Sequence, residues 1–270
     1  MKANKIEQPS RAKRAIALAV VTVIVLAAAV AGFGRLRNMY LEQCVIKDVS
    51  AQVSITSGKM VKADVIAENL GLKPGANLAK MDFKRGREEL LKRIPTLRRV
   101  TITRHLPDRL SITAEERIPV AKMGLRGRRE PTGRVVDEEG VVFPCLRGTQ
   151  LLPTIVETSP ATAIGQKLKD RSLSALRLVL ACREPENSDL SVLSVDVAKP
   201  DYLLATLGGT YARVKISWEG IDDPGSRGTE GLAPRLRNLR QAMRSEAAFG
   251  VKLWNATMPN RIFADTERTN

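Results

Sequence analysis

DFKRGREELLKRIPTLRRVTITRHLPDRLSITAEER, residues 82–117, decides the fold. Asp82 is a side-chain acceptor just ahead of Phe83, Leu90, Leu91 and Ile94, which share one helical face. It predicts an N-cap and an amphipathic helix that Pro95 ends. Leu97, Val100 and Ile102, then Leu110, Ile112 and Ala114, predict two strands around the turn Leu106-Pro107-Asp108-Arg109. Upstream, Val61, Val65, Ile66 and Leu70 recur at helical spacing, with Gly71 as C-cap and Pro74-Gly75 as a turn. Val45-Ile46, Val49, Val53 and Ile55 read as a β-branched strand that Gly58 breaks. Residues 45–117 are therefore a β-α-α-β-β module, small and polar outside.

Before the module lies a membrane segment. Ala15 to Gly34, AIALAVVTVIVLAAAVAGFG, carries no charge, and at about 1.5 Å per residue it is about 30 Å long, the thickness of a hydrocarbon core. Lys2, Lys5, Arg11, Lys13 and Arg14 precede it against Glu7, and Arg35 and Arg37 follow. The excess of bases puts residues 1–14 in the cytoplasm and exports the rest. Ala29-Val30-Ala31 also has the small-x-small form of a signal-peptidase site. The full spanning length and the Arg35-Leu36-Arg37 stop favour an anchor; either way the remainder is exported.

The net charge is +15, of which residues 1–14 hold +4. Export removes the remaining +11 from cytoplasmic nucleic acid and turns it toward anionic lipid or wall polymer. No metal, cofactor or small-molecule substrate is expected. His105 is the only histidine and sits beside a hairpin turn with no nucleophile–base constellation. Cys44, Cys145 and Cys182 cannot all pair within one chain; apolar neighbours make Cys145 and Cys182 buried hydrophobes, and Cys44, close to the membrane, is the candidate free thiol. Arg98, Arg99, Arg104 and Arg109 read as the solvated face of the strands, with an acidic docking partner as the sharper alternative.

Residues 118–265 read as mostly strand. Val120–Met123 and Arg134–Asp137 flank a basic loop, and Asp137-Glu-Glu-Gly140 turns the chain into Val141–Phe143. Its clustered carboxylates read as a solvated tip rather than an acid–base pair. Ser172 caps a helix striped by Leu173, Leu176, Val179 and Leu180. Leu190–Val197, Tyr202–Leu207 and Ala212–Trp218 are strands, so the unit is an α+β layer. Gly220 to Gly231 is a loop without phosphate-loop spacing, and Leu232, Leu236, Leu239 and Met243 mark a last helix whose other faces carry Arg235, Arg237, Arg240 and Arg244. Val251, Leu253, Ile262 and Phe263 favour strand, interrupted by Met258-Pro259-Asn260, which demotes the segment to an edge or a bulge. Trp254 reads as core.

The ordered set resembles the FtsQ/DivIB family of bacterial cell-division proteins: a short tail, one spanning helix, and a POTRA-type module with Val45-Ile-Lys-Asp-Val49, Leu70-Gly-Leu-Lys-Pro-Gly-Ala-Asn-Leu78, Ile94-Pro-Thr-Leu-Arg-Arg-Val100 and Leu106–Ala121. Val135–Phe143 and Leu151-Leu-Pro-Thr-Ile155 extend the likeness through about residue 217. The resemblance implies an α+β chain with a tail at 1–14, a transmembrane helix at 15–34, a POTRA-like domain at 45–117, a β-rich FtsQ-type domain at 118–265 and a short tail at 266–270. It also implies a non-enzymatic scaffold in the bacterial inner membrane, its exported domains at the septum, with FtsB- and FtsL-like proteins as partners. In that family the last strands and the helix before them receive the partners. The resemblance thus assigns partner contacts to Arg235, Leu239, Met258, Asn260, Arg261, Ile262, Phe263 and Ala264, with β-strand addition at the edge. Asn255 and Thr257 depart from the acidic residue and arginine common in the family. Two rival readings are an exported cell-wall enzyme, for which no spaced catalytic set is found, and an outer-membrane export component, which usually has tandem modules and a barrel. Membrane-tethered DNA binding would need the basic residues inside the cell.

Overall fold

The computed structural model describes residues 11–49, 53–56, 58–128, 132–160, 162–219, 221, 226–245, 248–258 and 261–265. The chain divides into two compact units, residues 1–90 with 100–114, and residues 91–99 with 115–270.

Helix α1 (Arg11–Glu42) heads the first unit, and Leu18–Glu42 is long and apolar enough to cross a membrane. Leu18, Val21, Ile24, Val25 and Phe33 are exposed along it, so the helix presents an apolar surface. Its end is tied directly to the module. The Asn77 side chain donates to the Leu41 carbonyl at 2.8 Å, Leu78 N–H to Cys44, and Ile46 N–H to Ala76. Cys44 and Ile46 are fully buried. Residues 45–49 are therefore not the opening of the strand: Val45 makes an isolated bridge to Asn77, and β1 is Val53–Thr56. Helix α2 (Ala63–Asn69) ends at Gly71, whose φ of +67° is the left-handed conformation the C-cap position requires. Helix α3 (Phe83–Arg93) is capped by Asp82, whose Oδ1 accepts the N–H groups of Lys84 and Arg85. Strands β2 (Leu97–His105) and β3 (Arg109–Glu116) complete a sheet of order β1-β3-β2, with β1 parallel to β3. The Arg104 guanidinium lies 4.6 Å from the Phe83 ring centroid and donates to the Met81 carbonyl, so this arginine is packed rather than merely solvated.

The second unit holds a nine-stranded sheet. Its strands are β4 (Ala121–Leu125), β5 (Arg134–Val136), β6 (Val142–Pro144), β7 (Thr154–Glu157), β8 (Val192–Asp196), β9 (Leu203–Leu207), β10 (Arg213–Ile216), β11 (Leu253–Met258) and β12 (Arg261–Ala264). Their order is β12-β11-β10-β9-β8-β7-β4-β5-β6. Five of its eight pairings are antiparallel; β4–β7, β7–β8 and β10–β11 are parallel. Parallel neighbours need a crossover. Helix α4 (Asp170–Arg183) joins β7 to β8 and helix α5 (Ser226–Met243) joins β10 to β11. Leu176, Leu178 and Val179 of α4 and Leu232, Leu236 and Leu239 of α5 form one core with Met123, Ile155, Val195, Ala205, Val214, Trp254 and Ala256 from the strands. Both helices thus cover one face, and the alternate strand residues, Lys122, Ser194, Thr206, Arg213 and Lys215 among them, face away from them.

Five expectations are corrected by the structure. The Asp137–Gly140 segment is a turn, with Gly140 at φ +84°, but Asp137 is not a solvated tip. It is buried against the Arg117 guanidinium and its Oδ1 accepts the Val141 N–H at 2.8 Å. Arg98 likewise donates to Glu139 at 2.8 Å and lies 3.2 Å from Glu138 and 3.6 Å from Glu115. Ser172 does not cap α4: Lys169 precedes the first turn, and the Ser172 hydroxyl donates to buried Glu157 Oε1 at 2.7 Å. Helix α5 starts inside the stretch read as a loop, at Ser226, and carries Pro234 in its interior. Cys145 is half-buried where its neighbours predicted a buried residue; Cys182 is buried as expected, Cys44 is a buried free thiol, and none of the three is in a disulfide.

Candidate partner-docking edge

The outer end of the second sheet is built from α5, β10, β11 and β12. β10 alternates Arg213 and Lys215 with Val214 and Ile216; the valine and isoleucine enter the helix-covered core and leave the two cations on the other face. β11 lies parallel to β10 and buries Trp254 and Ala256 in the same core, which fixes Trp254 as core. β12 returns antiparallel to β11 with Trp254 opposite Ala264, Asn255 opposite Phe263 and Met258 opposite Arg261, a register shift intervening. At that bulge the Asn255 side-chain oxygen accepts the Thr257 N–H at 3.1 Å and its hydroxyl at 2.7 Å. The two positions that depart from the family pattern therefore bond to each other.

β12 is the last strand in the sheet, and among the described residues none pairs with its outer side. The Asp265 N–H bonds inward to the Leu253 carbonyl, so by the two-residue alternation Phe263 also faces inward, and the backbone groups of Ile262 and Ala264 point outward. The opposite margin is not open in this way. β6 ends at Pro144, and residues 165–168 run along it, with Val142 N–H on the Gln166 carbonyl, Gly165 N–H on that of Val142, and a bridge from Val141 to Lys167.

The eight residues assigned by resemblance are not equivalent. Arg261, Phe263 and Ala264 are exposed, Met258 is 53% exposed, and Ile262 packs its side chain partly against the core. Asn260 lies outside the described residues. Arg235 and Leu239 are 7% and 1% exposed, since both lie on the stripe of α5 that faces the sheet. Arg235 Nη1 donates to the Ser217 carbonyl at 3.1 Å, its Nε is buried with no partner among the described residues, and desolvation pulls its guanidinium below the usual arginine value. Sequence reasoning missed Lys215 and Asp265, which meet at 2.6 Å across β11. The charged alternation of β10 was visible; the parallel pairing that carries it toward the terminus was not.

Residues 50–117 match the family of POTRA domains, FtsQ-type. The matched stretch lies in the β-α-α-β-β module described above, and together with the apolar helix ahead of it this supports an FtsQ/DivIB-like single-pass protein. No curated protein matches the chain. An FtsQ-type domain supports a role in cell division carried out by protein–protein interaction, in a family of non-catalytic scaffolds. The apolar helix and that domain together point to a single-pass inner-membrane protein.

Proposed function

We propose that this chain is a non-enzymatic division scaffold. It is anchored in the inner membrane by α1 with its tail in the cytoplasm, and its exported sheet recruits FtsB- or FtsL-like proteins at the septum. The partner adds an extended segment to β12: main-chain pairing with Ile262 and Ala264 supplies affinity, and Met258, Arg261 and Phe263 supply selectivity. The single observation that supports this is the asymmetry of the sheet margins. An edge left unpaired invites addition by another chain, and proteins cover edges that have no such use; here β6 is closed by residues 165–168 while β12 has no outer partner among the described residues.

The test uses the full chain in detergent and the exported segment of a division partner. Ala264→Pro removes one outward N–H while leaving the β11 ladder bonds in place, because its side chain is exposed and its N–H points away from β11. Binding should weaken by about tenfold or more, consistent with losing a main-chain hydrogen bond and the local fit of the added strand. Unchanged binding, with β12 still ordered, would place the docking site elsewhere.

A further inference from the structure

Edge strands this short hold on by few interactions. β12 is four residues long, makes three paired positions with β11, and is interrupted by a bulge. One face is held by Ile262 against the core. On the other face Lys215 Nζ reaches across β11 to Asp265 Oδ2 at 2.6 Å, immediately after the strand. Both side chains are about three-quarters buried, at 24% and 25% exposure, and the ammonium also lies 5.4 Å from the Tyr202 ring centroid. Lys215 stands opposite Asn255, which stands opposite Phe263, so the ion pair ties the third strand from the margin to the first, bypassing the one between. A partly shielded pair with a charge-assisted bond in this geometry is stronger than a solvated one.

We propose that Lys215 and Asp265 form a latch that keeps β12 docked, which makes them positioning residues for the open margin. The effect on partner affinity rests on the docking reading above; the latch itself does not. A four-residue strand without it spends part of its time off the sheet, and a partner that adds to a docked β12 then binds with its affinity reduced by the undocked fraction.

Hydrogen exchange on the full chain in detergent tests the latch without any partner. Asp265→Asn and Lys215→Met, the second keeping the stem over Tyr202, should each lower protection of the residue 263 and 265 amides by about three- to tenfold. Protection of Ala205 and Val214 in the inner strands should not move. The exchanged pair Lys215→Asp with Asp265→Lys should restore protection at β12. Unchanged protection at β12 in both single variants overturns the proposal, and so does a loss spread equally over β9 and β10, which would make the pair a general packing contact. Partner affinity should fall in parallel with protection. Lost protection with no partner binding to the unmodified chain would sink the docking reading and leave the latch standing.

Discussion

Arg117 and Asp137 show how a residue's role is set by what surrounds it. The guanidinium is 13% exposed and the carboxylate 4%, and Arg117 also bonds Glu139 at 3.2 Å. Removing one member of a buried pair leaves the other charge uncompensated, so Arg117→Met should destabilise the second unit by about 3 kcal/mol in urea denaturation, with Asp137→Asn milder because an amide still accepts from Val141. Glu139, bonded to Arg98, holds its carboxyl below the usual range. A depressed acid contributes stability above its unfolded value of about 4.3 and loses it as pH falls through the folded value, so Glu139→Gln should flatten the acid limb of the stability curve. Cys182 runs the other way: burial pushes its thiol up to about 12. Its contribution is complete below about 8.5 and is lost as pH rises through the folded value, because the unfolded thiol ionises first. Cys182→Ala should remove that alkaline slope, and alkylation of the folded protein at pH 8 should mark Cys145 and spare Cys182. A slope unchanged in Cys182→Ala would deny the thiol its part in it.

Strands separate what was legible from what was not. The β-α-α-β-β order, the Asp82 cap, the Gly71 stop and the marginal place of β12 followed from period, caps and a proline, which act over a few residues. The pairing of β4 with β7 and of β10 with β11 joins positions about thirty to forty residues apart and leaves no local mark. For the same reason Asp137 read as a solvated tip: its neighbours in sequence are glutamates, while its partner Arg117 is contributed from 20 residues away. Leu239 lay on the apolar stripe already legible in the sequence and is buried with it, while Arg235, read on the other faces of the helix, is buried beside that stripe. The alternation of β12 supplies a sharper prediction than composition could. Phe263→Pro removes an inward ladder donor and Ala264→Pro an outward one, so hydrogen exchange should show the first loosening β12 while the second leaves it protected. Equal loosening by both would mean the alternation is wrong at the bulge.

Membrane attachment depends on the whole chain, because it sets where every exported surface can act. Helix α1 leaves the apolar stretch and within ten residues is bonded to the module: Asn77 donates to the Leu41 carbonyl and Cys44 and Ile46 are buried, so no free linker separates the helix from the POTRA-type module. Which side that unit occupies is decided by bases flanking the span. Lys2, Lys5, Arg11, Lys13 and Arg14 stand before it against Arg35 and Arg37 after it. On the proposed topology, cytoplasmic retention of flanking Lys and Arg keeps the tail inside. Alkaline phosphatase, active only outside the cytoplasm, should be active when fused after Asp265. Replacing those five N-terminal bases by glutamine leaves Arg35 and Arg37 as the dominant flank and should invert or divide the orientation, with most of the fusion activity lost. Full activity in that variant would show that charge does not set the topology. An intact mass that includes residues before Ala31 shows α1 kept as an anchor; one that begins after Ala31 shows a cleaved signal, and the stalk from Gly32 to Glu42 would then hold the module without a membrane.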